Sequence, residues 1–202
     1  TRDEVAQADL LYELDLSKAK RLLTEAGYPD GFTLTLNASA NPAYMDASTL
    51  MSEQLKKIGV NLVLKPCDHP TYHTLIRKDL NPLVLYDGGR ENADMVLTQY
   101  YHSDSIVVTG KKPVTNFSHI GAVDADGDGK IDSIDNLIDA ARTEADGKKQ
   151  ISLWKEAQVN LLKYLASYPL YYVNIALAKR PYVDWGYELK LIPDFPLANE
   201  HT

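Results

Sequence analysis

Apolar residues recur at helical spacing over five stretches of the chain and alternate with polar ones over a sixth. Asp15 caps a run in which Leu16, Ala19, Leu22, Leu23 and Ala26 share one side, and Gly27 closes it. Phe32, Leu34 and Leu36 then alternate with Thr33, Thr35 and Asn37, which predicts a strand with one face in the core. Ala47, Leu50, Met51, Leu55 and Ile58 predict a second helix from about Pro42 to Ile58, and Val60 to Lys65 the next strand. Asp68 or His69 starts a short helix carrying Tyr72, Leu75 and Ile76, which ends at Asn81-Pro82. Leu83 to Tyr86 runs apolar without alternation, the pattern of a strand covered on both faces. Strands joined through helices of this length imply parallel pairing with right-handed crossovers, an α/β layer structure.

Beyond Tyr86 the period is lost. Residues 87–119 predict one helical turn near Asp94 to Tyr101 and little else. Ile134, Leu137, Ile138 and Ala141 restore a helical face that breaks at Asp146-Gly147. The longest helix follows over about Lys148 to Ala166, with Ile151, Trp154, Ala157, Leu161 and Leu165 inward and Pro169 ending it. Leu170 to Leu177 and Arg180 to Tyr187 are further strand candidates, and the tail with Pro193 and Pro196 is irregular.

The segment Asp124 to Asp135, DADGDGKIDSID, interrupts this order. Asp124, Asp126 and Asp128 occupy positions 1, 3 and 5 of a twelve-residue loop, with Gly129 at 6, the Lys130 carbonyl at 7, Asp132 at 9 and Asp135 at 12. That is the oxygen spacing of an EF-hand calcium loop, because a hard divalent cation takes six to eight oxygens from a tightly turning chain. An acidic surface turn shares the residue types. Position 12 is Asp where the bidentate Glu is usual, and no helical period precedes the loop, so a static half-site that pins a loop is expected. A calcium-dependent, dockerin-like docking module is the alternative reading, although dockerins carry two such loops in a short chain.

The chain has 202 residues, 45% of them hydrophobic, enough for one large or two small domains. The loop holds a local charge of −4, which leaves −3 of the total −7 for everything else. No basic stripe exists, so nucleic acid is not an expected partner. No apolar run reaches the ~20 residues of a bilayer span. Cys67 is the single cysteine, read as a half-buried thiol at a strand end. His69 and His73 share a helix face but lack a third ligand in sequence. No nucleophile elbow, phosphate loop, HExxH or GxGxxG occurs, so no enzyme class is supported.

Tyr86, Asp87, Gly88, Gly89 and Arg90 form the candidate solute site. Two glycines let a ligand approach the backbone at the carboxyl end of a strand, where open α/β sheets bind ligands, and Asp87 and Arg90 offer opposite charges. A plain turn with solvated charges has the same composition. Tyr100, Tyr101, Tyr171 and Tyr172 could add stacking surface.

The segments LDLSKAKRLLTEAGYPDGFTLTL, MSEQLKKIGVNLVLKPCDHPTYHTLIRK, LVLYDGG with ADMVLTQYYHSDS, NFSHIG and LWKEAQVNLLKYLASYPLYYVN resemble, in this order, the carboxyl-terminal lobe of family 5 extracellular solute-binding proteins. These are the peptide, nickel and oligosaccharide receptors of ABC importers, and the resemblance covers roughly residues 12–186. It implies a type II periplasmic-binding-protein lobe with a mixed, mostly parallel sheet: residues 1–14 a connecting arm, 15–186 the ligand-binding lobe, 187–202 a tail returning toward an amino-terminal lobe. It also implies a periplasmic or lipid-anchored receptor, no enzyme, with a polar solute clamped between lobes and an ABC permease as partner. Peptide-binding members carry an aspartate for the peptide amino group where Gly89 stands here, with Arg90 next to it. A solute with an anionic group, gripped bidentately by Arg90, is expected instead. The calcium loop, between His119-Ile120-Gly121 and Asn136-Leu137-Ile138, looks like an insertion remote from the cleft.

Overall fold

The computed structural model describes residues 2–7, 9–90, 92–111, 113–171, 178 and 180–184. The arm begins with a short helix, α1 (Arg2–Gln7), and the Tyr12 hydroxyl donates to the Leu162 carbonyl at 3.0 Å, which ties the arm to the last helix. Helix α2 (Leu16–Glu25) starts as its sequence requires, with the Asp15 carboxylate accepting from the Lys18 amide at 2.8 Å. Strand β1 (Phe32–Ser39) and strand β2 (Val60–Cys67) pair in parallel, Phe32 opposite Val60 through Ser39 opposite Cys67. The connection between them is α3 (Pro42–Lys56), capped by Asn41.

Side-chain alternation decides which face of this ribbon is covered. Leu36, Val60 and Leu62 are buried against Met51, Leu55 and Ile58 of the crossover and Leu23 of α2. Thr33, Thr35, Asn61 and Val63 stand on the opposite face, exposed. Helix α4 (His69–Arg77), capped by Asp68, turns Tyr72 and Ile76 inward against Tyr44.

The third expected strand is not formed. Residues 83–86 lie as a bend and extended coil, and among the described residues the sheet has two strands. The reason is visible at the free edge of β1, where the Asn81 carboxamide accepts from the Asn37 amide at 3.1 Å and donates to the Asn37 carbonyl at 2.9 Å. A side chain thus satisfies backbone groups that a third strand would have paired. Val84, Leu85 and Tyr86 find their burial instead against Tyr44, Tyr72 and Ile76, and the Tyr72 hydroxyl donates to the Leu85 carbonyl at 2.5 Å. The strand expected over 170–177 lies mostly outside the described residues, as do the end of the one over 180–187 and the tail. The described part, 180–184, is a turn.

The remaining described helices form a second core. Helices α5 (Ala93–Tyr101), α6 (Asp135–Thr143) and α7 (Gly147–Lys163) enclose Leu97, Ile120, Ile134, Ile138, Ala157 and Leu161. Helix α5 is longer than the single turn expected, and α7 stops before Ala166 because Leu165 takes a left-handed φ of 51°. Asn116 is fully buried and donates to the His102 and Ile120 carbonyls at 3.2 and 3.1 Å, which fixes the irregular 102–120 segment. Tyr86 and Phe117, 5.1 Å apart between ring centroids, carry the aromatic cluster from the sheet toward the helices.

Candidate functional site

Both strands end at Ser39 and Cys67, and the chain returns to this end at residues 86–90. Asp68 caps α4 here, so that a helix amino terminus faces the same rim. Tyr44, from the first turn of α3, receives the Asp87 amide on its hydroxyl at 3.2 Å and sets its ring against His69 at 5.0 Å. Burial pushes the Tyr44 phenol above its ordinary range. One tyrosine therefore joins the 86–90 segment to the start of α4.

Tyr86 is half-buried between His73 and Tyr100, each 5.8 Å from its ring. Asp87, Gly88 and Gly89 are exposed. Gly88 is required by close approach: a Cβ there would lie 2.2 Å from the Tyr100 hydroxyl and 3.0 Å from the Tyr86 ring. Burial raises the Tyr100 phenol to about 12, offset in part by Arg90. That hydroxyl is buried without a hydrogen-bond partner.

Arg90 does not present the open fork expected of it. Its Nε donates to Gln99, its Nη1 donates to the Gly89 carbonyl at 2.6 Å, and its guanidinium lies 4.9 Å from the centre of the Tyr100 ring. The structure thus brings the five sequence-derived residues together with Tyr100, and it adds Tyr44 and Gln99, which sequence reasoning missed. The signal for Tyr44 was its place in the first turn of a helix that follows a strand directly. Tyr171 comes near the same rim, donating its hydroxyl to the Ala43 carbonyl at 3.2 Å, whereas Tyr101 pairs with Ser167 at 2.6 Å; Tyr172 lies outside the described residues. Cys67 is half-buried at the end of β2, as expected, and burial raises its thiol pKa.

The acidic loop is a separate feature. Carboxylate oxygens of Asp124, Asp126 and Asp128 lie within 4.8 Å of one another, all three residues exposed. Loop amides bond to them: the Gly127 and Gly129 amides donate to Asp124 at 2.7 and 2.8 Å, and the Lys130 amide donates to Asp128 at 2.9 Å. Gly129 at position 6 has φ of 86°, the left-handed turn that a side chain would strain. The Lys130 ammonium is 3.0 Å from Asp128 and that of Lys163 4.0 Å from Asp126.

Asp132 and Asp135 do not join this group. Asp132 is buried and accepts from the Ala125 and Asp126 amides at 2.7 and 3.3 Å, bracing the loop from beneath. Asp135 turns to Ser103, accepting from its amide at 3.0 Å and its hydroxyl at 2.5 Å. Among the described residues no helix enters the loop, so the helix-loop-helix pair of a docking module finds no support.

A family model for bacterial extracellular solute-binding proteins, family 5 middle, matches residues 3–106. Among solved structures, the chain is similar to MoaA from A. tumefacien R10, in complex with mannopinic acid, at 41% identity and a TM-score of 0.66 over 75% of this chain and 29% of that one. It shares its fold with DppA from Helicobacter pylori in complex with the peptide STSA, at 23% identity and a TM-score of 0.61 over 77% and 28%. AgaA from A. tumefacien R10, in complex with agropinic acid, is similar at 23% identity and a TM-score of 0.57 over 75% and 29%. No curated protein matches. The chain spans about three tenths of the length of these solved proteins.

Proposed function

Because the chain belongs to the family 5 bacterial extracellular solute-binding proteins, we propose that it forms part of the carboxyl-terminal lobe of an ABC-importer receptor and holds a small, carboxylate-bearing polar solute at the 86–90 rim. The observation that carries this reading is the stack of Arg90 on Tyr100, whose hydroxyl lies against Gly88. Exposed backbone without side chains admits a ligand, Arg90 supplies positive charge, and the Tyr86 and Tyr100 rings supply surface. With Nε and Nη1 already engaged, Arg90 acts as a positioned charge and not as an open bidentate fork. Mannopinic acid, the ligand in the MoaA structure, is a carboxylate-bearing solute of this class. A larger amino-terminal lobe would close over the rim, and an ABC permease would receive the solute. The full-length receptor would be periplasmic or extracellular, with or without a lipid anchor, and would hand over its cargo unaltered; among the described residues no helix is long and apolar enough to cross a membrane.

Titration of the full-length receptor tests this. Mannopinic acid should bind, and Arg90→Gln should weaken it tenfold or more, about 1.4 kcal/mol. Tight binding of ordinary dipeptides, indifferent to Arg90→Gln, would sink the reading.

The acidic loop is assigned a structural role in the same receptor. Asp124, Asp126 and Asp128, with the Lys130 carbonyl and water, would hold Ca2+. Hard oxygen donors converging on one small volume fit that ion. The commitments of Asp132 and Asp135 to protein hydrogen bonds leave these two as supports of the loop rather than ligands.

A further inference from the structure

His69 and His73 lie one turn apart on α4, at the rim where β1 and β2 end. Their Nε2 atoms are 3.0 Å apart, while the rings stand 84° to each other with centroids at 4.4 Å, so the two nitrogens converge without stacking. Each ring is held. His69 Nδ1 is 2.9 Å from the buried Ser39 hydroxyl, whose oxygen also accepts from the Asn41 amide at 3.2 Å. His73 has the Tyr72 and Tyr86 rings against it, each 5.8 Å away, and its buried Nδ1 has no partner.

Two neutral imidazoles at this distance share a single proton, since each nitrogen has room for either a proton or a lone pair toward the other. When His73 carries its proton on Nδ1 instead, both Nε2 atoms turn a lone pair to the gap and a metal ion can take the proton's place with both rings neutral. Metal–nitrogen bonds of about 2.0–2.1 Å place two nitrogens about 2.9 Å apart when they meet at a right angle and about 3.3 Å apart at the tetrahedral angle. The observed separation falls between these limits and nearer the first. In the tautomer whose Nδ1–H donates to the Ser39 oxygen, His69 keeps its Nε2 lone pair for a metal, the arrangement by which a ligating histidine is oriented from behind.

We propose that His69 and His73 bind one divalent transition-metal ion through their two Nε2 atoms, Cu2+ or Ni2+ in preference to Zn2+, with water filling the remaining positions. Imidazole suits these ions, and adjacent donors at a right angle suit square-planar or tetragonal coordination. The Asp124 loop offers only oxygens and is the wrong chemistry for them. The pair stands on its own geometry, whether or not the solute reading holds.

The test is a titration of the chain with Cu2+ and with Ni2+ in excess Ca2+, which occupies the acidic loop. One equivalent should bind; His69→Gln and His73→Gln should each weaken binding tenfold or more, and Ser39→Ala, which removes only the orienting group, by a smaller factor. NMR of the unmodified chain gives a readout free of any folding defect: the paramagnetic ion should broaden the Hε1 resonances of both His69 and His73 before those of His102 and His119. Binding unaffected by both glutamine variants, or broadening of only one of the two resonances, would overturn the proposal.

Discussion

Gly88 and the Tyr100 hydroxyl approach so closely that even one added methyl group has no room, a Cβ at 88 lying 2.2 Å from that oxygen. Gly88→Ala should therefore displace Tyr100 or the 86–90 segment and cost about 1–3 kcal/mol. Tyr100→Phe should by itself be neutral or stabilising by about 1 kcal/mol, because it removes a buried hydroxyl that has no partner. In the double variant part of the Gly88→Ala loss should return, since the next contacts, at 3.0 and 3.2 Å, can yield by tenths of an ångström. Urea midpoints of the four chains complete the cycle. Gly147→Ala is the control: a Cβ there meets nothing within 4 Å, and it should leave stability unchanged or raise it.

Asn81 holds both backbone polar groups of Asn37 with one carboxamide, and it is buried. Asn81→Leu should leave those two groups unpaired and cost about 2–3 kcal/mol. Amide exchange at Asn37 reports it directly. An unchanged rate there would mean that another group closes the edge of β1.

That contact also marks where the sequence stopped being legible. The elements β1, β2, α2, α3 and α4 followed from alternation, helical spacing and the caps Asp15 and Asp68, all local signals that tertiary packing reinforces. Leu83 to Tyr86 had the composition of a covered strand, but whether its backbone pairs depends on what reaches β1 first, and Asn81 is 44 residues away from Asn37 in sequence. The site divides in the same way. Gly88 and Arg90 were readable as turn residues, although the strand they were expected to leave is not formed, whereas the occupancy of Arg90 by Gln99 and the diversion of Asp135 to Ser103 depend on helices α5 and α6, whose packing no spacing rule encodes.

The proposed division of the acidic loop into Ca2+ ligands and supports predicts different outcomes for its variants. Chelation of Ca2+ should lower the melting temperature; at a hundredfold excess over Kd the bound ion contributes about 2.7 kcal/mol. Asp126→Asn should weaken that calcium effect and leave the metal-free chain nearly as stable, since its carboxylate is an exposed loop group. Asp135→Asn should destabilise the metal-free chain by about 1–3 kcal/mol, because the Ser103 amide and hydroxyl lose a charged acceptor. Identical melting curves with and without chelator would remove the ion from the account.

Stability should plateau between roughly pH 6.5 and 8.5, above which the unfolded Cys67 thiol gives up its proton before the folded one, and fall on both sides, for opposite reasons of sign. Burial, then His69, then Arg77 hold the His73 pKa below its ordinary value. Between that lowered value and 6.5 the unfolded chain binds more protons, so this contribution is complete above pH 6.5 and is lost as pH falls through the folded value. Burial raises the phenols of Tyr44, Tyr72 and Tyr100, the last to about 12. Here the folded chain holds the proton more tightly, so the contribution is complete below pH 10 and is lost as pH rises through the raised values. Urea midpoints against pH give both limbs, and two variants assign them. His73→Gln should flatten the acid limb near pH 6, and Tyr100→Phe should lessen the alkaline one. An acid limb of unaltered slope in His73→Gln would place that loss on the carboxylates, among which Asp68 is held low by its bonds from Thr71 and so titrates well below the histidine range.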